Sequence, residues 1–105
     1  MSTSNELAGK VVVVTGSGRG IGKEIAIGAG KQGASIALVE VISSNLNSAV
    51  EDISKIGINV KGYLTDLSDE SQVLNNFAQI EKDFGKIDCL VNNAMIHYAE
   101  DLIST

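Results

Sequence analysis

The sequence predicts an α/β fold, a doubly wound parallel sheet of about four strands in the order 3-2-1-4 with helices on both faces. Three observations lead there. Short apolar runs alternate with stretches of helical periodicity, glycines punctuate the joins, and three strand-helix units followed by a further strand call for parallel strands linked by right-handed crossovers.

The first strand is the valine run Val11-Val12-Val13-Val14, and the glycine-rich stretch from Gly16 to Gly22 turns the chain into a helix whose apolar positions are Ile25, Ala26 and Ala29. Gly30 and Gly33 are expected to break that helix before the second strand, Ile36-Ala37-Leu38-Val39. Leu46, Val50 and Ile53 make the next helical face, which ends at Gly57, and residues 58–64 alternate as a third strand would. Ser68 is expected to cap a helix whose acidic first turn, Asp69-Glu70, suits a positive dipole end. Val73, Phe77, Ile80 and Phe84 line that helix, and Gly85 stops it. Ile87 to Val91 forms the fourth strand, with Cys89 expected as a small buried residue at its middle.

The chain has 105 residues, 44% of them hydrophobic and 20% charged, which supports one modest core, so residues 1–105 are read as a single domain. Eight basic against 13 acidic side chains give a formal charge of −5, the wrong sign for gripping nucleic acid or an anionic membrane. A lone cysteine cannot form an internal bridge, and the first six residues lack the blocks of a secretory signal, so a cytoplasmic setting is expected. Apolar runs are far shorter than the ~20 residues that cross a bilayer.

The chemistry-bearing residues cluster where the strands end. Thr15-Gly16-Ser17-Gly18-Arg19-Gly20-Ile21-Gly22 has the spacing Thr-Gly-x-x-x-Gly-x-Gly. Glycines here allow a sharp turn after the strand and close approach to a pyrophosphate, whose charge then rests on the N–H groups and dipole of the following helix; Ser17 and Arg19 add side-chain donors. Glu40, at the end of the second strand and 20 residues after Gly20, stands where a dinucleotide fold places the carboxylate that accepts from the adenosine ribose hydroxyls. That carboxylate repels a 2′-phosphate and favours NAD, whereas the Arg19 guanidinium keeps NADP open. Asp66 and Leu67 follow the third strand, where a carboxylate can accept from an adenine amino group or simply cap a turn. Asn92-Asn93-Ala94 closes the fourth strand with amides able to hold neighbouring strands and contact a ribose.

In this order and spacing, these residues resemble the short-chain dehydrogenase/reductase family of nicotinamide-dependent oxidoreductases, across roughly Leu7 to Asp101. The resemblance implies a Rossmann-type dinucleotide-binding domain, the N-terminal part of a longer fold. Gly16, Ser17, Arg19, Gly20 and Ile21 would surround the pyrophosphate and adenosine phosphates. Glu40 would meet the adenosine ribose, Asp66 and Leu67 the adenine, and Asn92, Asn93 and Ala94 the nicotinamide-side ribose. The implied reaction is hydride transfer between NAD(P)(H) and a small carbonyl or alcohol substrate.

Two departures stand out. Met95 follows Asn92-Asn93-Ala94 where the family has Gly. The family's catalytic Tyr, with Lys four residues on, is absent: Tyr63 has Leu67 at that spacing and Tyr98 has Leu102. No catalytic residue and no metal ligand is therefore assigned within the chain, and His97 and Cys89 read as bystanders. The alternative to an enzyme portion is a non-catalytic nucleotide-binding or interaction module. The fourth strand, a sheet edge here, invites pairing, so a homo-oligomer is expected.

Overall fold

The computed structural model describes residues 5–16 and 20–93. Ser17, Arg19, Ala94, Met95, His97 and Tyr98 lie outside the described residues. The elements run β1 (Val11–Thr15), α1 (Gly20–Lys31), β2 (Ser35–Glu40), α2 (Ser43–Lys55), β3 (Val60–Leu64), α3 (Glu70–Phe84) and β4 (Cys89–Asn92). The four strands form one parallel sheet in the order β3-β2-β1-β4, as expected from the alternation of strands and helices.

Alternation along the strands divides the core between the two faces of the sheet. Val12, Val14, Ile36 and Leu38 point to the side covered by α1 and α2, where Ala26, Leu46, Ala49 and Ile53 meet them. Val13, Ala37, Val39 and Tyr63 point to the other side, where Ile80 of α3 packs with Phe77, Phe84 and Ile87 around it. Every residue of β1 is buried, and β2 is buried from Ile36 onward, which explains why these strands read as continuous apolar runs. Truncating a fully buried side chain such as Ile53 or Ile80 would cost ~2–5 kcal/mol.

Three expectations about element ends change. Gly30 does not break α1, which continues to Lys31. A glycine is needed there because a Cβ would sit 2.5 Å from Cγ2 of Ile58, and the chain reverses instead at Gly33, φ +101°. The N-cap of α3 is Asp69 rather than Ser68: the Asp69 carboxylate accepts from the Gln72 N–H, while both Ser68 donors are taken by Asp66. Cys89 is exposed and opens β4 instead of lying buried at its middle. The preceding Asp88 interrupts the expected strand by accepting the Val11 N–H at 2.8 Å through its carboxylate.

No helix among the described residues is long and apolar enough to cross a membrane.

Candidate functional site

Parallel pairing brings the carboxyl ends of all four strands to one edge, with Thr15 in register with both Val39 and Asn92, and Glu40 with Leu64. Directly after β1, Gly16 turns with φ +63°; its N–H donates to the Val39 carbonyl at 2.8 Å, and its own carbonyl accepts from the Asn93 side-chain amide at 3.2 Å. Gly20 opens α1, also with φ +63°, and beyond its chain neighbours and its own helix a Cβ placed on it would meet nothing within 4 Å among the described residues. The positive φ disfavours any L side chain, and the open space lies at the N-terminal end of a helix, where anions are favoured.

Glu40 is only 8% exposed, so it is not the solvated charge that a strand end usually carries. Its Oε2 accepts from the N–H groups of Val41 at 2.9 Å and Ile42 at 3.2 Å. Its carbonyl accepts from Thr65 at 2.9 Å, and Thr65 is itself fully buried. Side chain and main chain are thus both fixed at the boundary between β2 and α2.

After β3, Asp66 Oδ1 accepts from the Ser68 hydroxyl at 2.6 Å and the Ser68 N–H at 3.0 Å. These two donors, the hydroxyl first, hold its carboxyl below the usual carboxylate value. The Asp66 N–H donates to Gln72 Oε1 at 2.9 Å, and Leu67, half-buried, packs on the cluster beneath α3. At the end of β4, Asn92 Oδ1 lies 3.1 Å from the Thr15 hydroxyl, which also approaches the Val91 carbonyl at 3.4 Å. Asn93 is 6% exposed and reaches across to Gly16.

The family model for short chain dehydrogenase matches residues 10–104. The chain belongs to the short chain dehydrogenase family. A curated member, 2-dehydro-3-deoxy-D-gluconate 5-dehydrogenase of Pseudoalteromonas atlantica, is 45% identical over 89 residues, which are 84% of this chain and 35% of that protein. Among solved structures, NAD+-bound xylitol dehydrogenase superposes with a TM-score of 0.79 at 33% identity, over 81% of this chain and 33% of that one. A metagenomic short-chain oxidoreductase in complex with NADP superposes with a TM-score of 0.76 at 31% identity, over 80% of this chain and 38% of that one. The chain therefore spans about a third of the length of the family members it matches.

The donors and acceptors present suit the nicotinamide dinucleotides that those two family structures carry. Two positive-φ glycines flank the start of α1, a buried carboxylate ends β2, and amides end β4 along the same edge. Gly16, Gly20, Glu40, Asn92 and Asn93 share that edge, with Ile21 70% exposed on the first turn of α1 and Asp66-Leu67 just past β3. Asp66 is engaged by Ser68, the local role that sequence alone left open.

Sequence reasoning missed two contributors. Thr15, quoted only as part of the glycine motif, bridges β1 to β4 through its hydroxyl, and buried Thr65 fixes the main chain of Glu40. A threonine ending an apolar run was the available signal for the first; nothing local distinguished the second. Tyr63 is no substitute acid or base. It is buried, its hydroxyl donates to Asp83 Oδ2 at 2.7 Å, and burial followed by that bond pushes its pKa up, away from neutral pH. Among the described residues no group of three or more His, Cys, Asp or Glu side chains is placed to hold a metal ion.

Proposed function

We propose that this chain is the dinucleotide-binding portion of an NAD-dependent short chain dehydrogenase that moves a hydride between the nicotinamide cofactor and a small carbonyl or alcohol substrate. The observation that carries this is the buried Glu40 carboxylate at the carboxyl end of β2, on the same edge as the Gly16 turn and the Asn93 amide. The bound cofactor would supply the hydride. In this reading Gly16, Ser17, Arg19, Gly20 and Ile21 hold the phosphates, Glu40 the adenosine ribose, Asp66 and Leu67 the adenine, and Asn92, Asn93 and Ala94 the second ribose. A carboxylate at position 40 favours NAD by charge, against the pull of Arg19 toward NADP.

The proton-transferring Tyr–Lys pair of the family is assigned to a portion of the enzyme other than these 105 residues. The setting proposed is cytoplasmic, in keeping with a single cysteine and no possible internal bridge. Titrating the chain with NADH and NADPH, followed by nicotinamide fluorescence, tests the cofactor assignment. Saturable binding with NADH the tighter ligand is expected, and no binding of either would sink it. Turnover of a panel of alcohols and ketones by this chain alone would overturn the assignment of catalysis elsewhere.

A second reading, a non-catalytic nucleotide-binding module acting through its sheet edge, is favoured by the 48% exposure of Leu90 on β4. The same edge supports a homo-oligomer. NADH binding without turnover in the full-length protein would select the module.

A further inference from the structure

The segment leaving β3 is held along its main chain more fully than a turn requires. The Thr65 N–H donates to the Glu40 carbonyl at 2.9 Å, and the Asp69 N–H to the Asp66 carbonyl at 3.0 Å. Two side-chain amides of α3 add to these. Gln72 Oε1 accepts from the Asp66 N–H at 2.9 Å, and Asn76 Nδ2 donates to the Leu64 carbonyl at 3.4 Å. Residues 72 and 76 are four apart and so lie on one face of the helix, which fully buried Ile80 anchors to the sheet. Gln72 is braced in turn, because its Nε2 donates to Asp69 Oδ2 at 3.3 Å. Asp66 therefore has its N–H held by Gln72 and its Oδ1 held by Ser68, while among the described residues nothing donates to its Oδ2. One carboxylate oxygen is left for a ligand donor.

We propose that Gln72 is a positioning residue for a bound adenine: by holding the Asp66 N–H from α3, it fixes Asp66 so that Oδ2 accepts from the adenine amino group. This rests on the dinucleotide reading above and adds to it a residue that lies outside every strand end. Gln72 touches no nucleotide and acts through Asp66. Its amide matters more than its length. A methionine at position 72 has nearly the same reach and a comparable helix propensity, yet its thioether is only a weak acceptor for the Asp66 N–H.

The test uses the full chain, its Gln72→Met, Asp66→Ala and Ile80→Val variants and the double variant Gln72→Met/Asp66→Ala, each checked for folding by circular dichroism. The readout is the dissociation constant of reduced nicotinamide hypoxanthine dinucleotide, which has an oxygen in place of the adenine amino group, divided by that of NADH. Wild type is expected to prefer NADH roughly tenfold, the size of one hydrogen bond to a charged acceptor, and Gln72→Met to keep no more than roughly a third of that ratio. Ile80→Val loosens the seat of α3 without touching the segment after β3, and should keep the wild-type ratio. Once Asp66→Ala has abolished the preference, adding Gln72→Met should change the ratio no further. The proposal is overturned by a wild-type ratio in Gln72→Met, by an equal fall in Ile80→Val, by a further change in the Asp66→Ala background, or by a wild type that does not distinguish the two ligands. If Asp66→Ala fails to fold, the comparison of Gln72→Met with Ile80→Val decides the matter. Failure of the wild type to bind either dinucleotide is a different outcome and overturns the dinucleotide reading itself.

Discussion

The side-chain amide of Asn93 donates to the carbonyl oxygen of Gly16 at 3.2 Å, joining residues 77 positions apart and tying the end of β4 to the turn after β1. Because Asn93 is 6% exposed, this bond is shielded from competing water. Asn93→Ala should cost ~1 kcal/mol, or ~4–8 °C in Tm for a domain of this size. Asn93→Asp should cost more, since an ionised carboxylate offers no donor and faces the carbonyl oxygen. Thermal unfolding of the two variants checks the order. NADH affinity should fall in both, because the Gly16 turn loses its support.

Two glycines of α1 should respond in opposite directions to the same substitution. A Cβ on Gly28 would meet nothing within 4 Å, so Gly28→Ala should stabilise the chain by ~0.5–1 kcal/mol through helix propensity alone. A Cβ on Gly30 would lie 2.5, 2.6 and 2.9 Å from three carbons of the Ile58 side chain. Gly30→Ala should therefore destabilise by ~1–3 kcal/mol. Adding Ile58→Ala should recover part of that loss, a coupling visible in a double-mutant cycle by urea unfolding. Equal effects of the two single substitutions would contradict the packing described.

The strands were legible because β1, β2 and β4 carry short apolar runs and β3 alternates, each closed by glycine or a polar turn, and in the order 3-2-1-4 right-handed crossovers put α1 and α2 on one face and α3 on the other, as found. The sorting of Val12 and Val14 from Val13 between two faces followed from the two-residue period of a strand. Period does not report what covers a face. Cys89 pairs in register with Val12 on the α1/α2 side, yet Val12 is buried and Cys89 exposed. Nor does spacing report which neighbour caps: Ser68 and Asp69 both suit an N-cap, and it is the Asp69 carboxylate that accepts from the Gln72 N–H, while the Ser68 hydroxyl turns back to Asp66. At the site, the sequence pointed to Glu40 and Asn93 through their position after apolar runs. The partners that fix them, the Val41 and Ile42 N–H groups and the Gly16 carbonyl, are backbone atoms with no signature of their own.

Asp83 joins α3 to β3. Its Oδ2 accepts from Lys61 at 2.8 Å and Tyr63 at 2.7 Å, and its Oδ1 accepts from Gln79 at 2.8 Å. These donors, Lys61 first, hold its pKa down to about 2 from an ordinary 3.8. A depressed carboxylate stabilises the fold above its unfolded value and loses that contribution as pH falls toward the folded value. Stability should thus decline as pH drops from about 4 to about 2, a limb shared with Asp66 and Asp88, whose carboxyls are also lowered. Asp83→Asn should be less stable at pH 7 and show a shallower decline in acid. Urea unfolding at stepped pH checks both. A decline as steep as that of the wild type would exclude Asp83 as a source of the acid limb.

Leu90 sits on β4 in register with buried Val13, on the face that α3 covers farther along the sheet, yet it remains 48% exposed. Among the described residues β4 pairs only with β1, so its outer edge combines backbone donors and acceptors with an apolar side chain, the combination that recruits another strand. Association through this edge should therefore depend on Leu90. Leu90→Lys should shift the chain toward monomer in sedimentation velocity, because a charged side chain on an edge strand resists burial, while the helices and the Gly16 turn stay intact. The Cys89 thiol, exposed on the same strand, supplies a second readout: alkylation should be slower in the associated wild type than in Leu90→Lys. If the wild type sediments as a monomer and its thiol reacts at the rate of the variant, the edge does not mediate self-association.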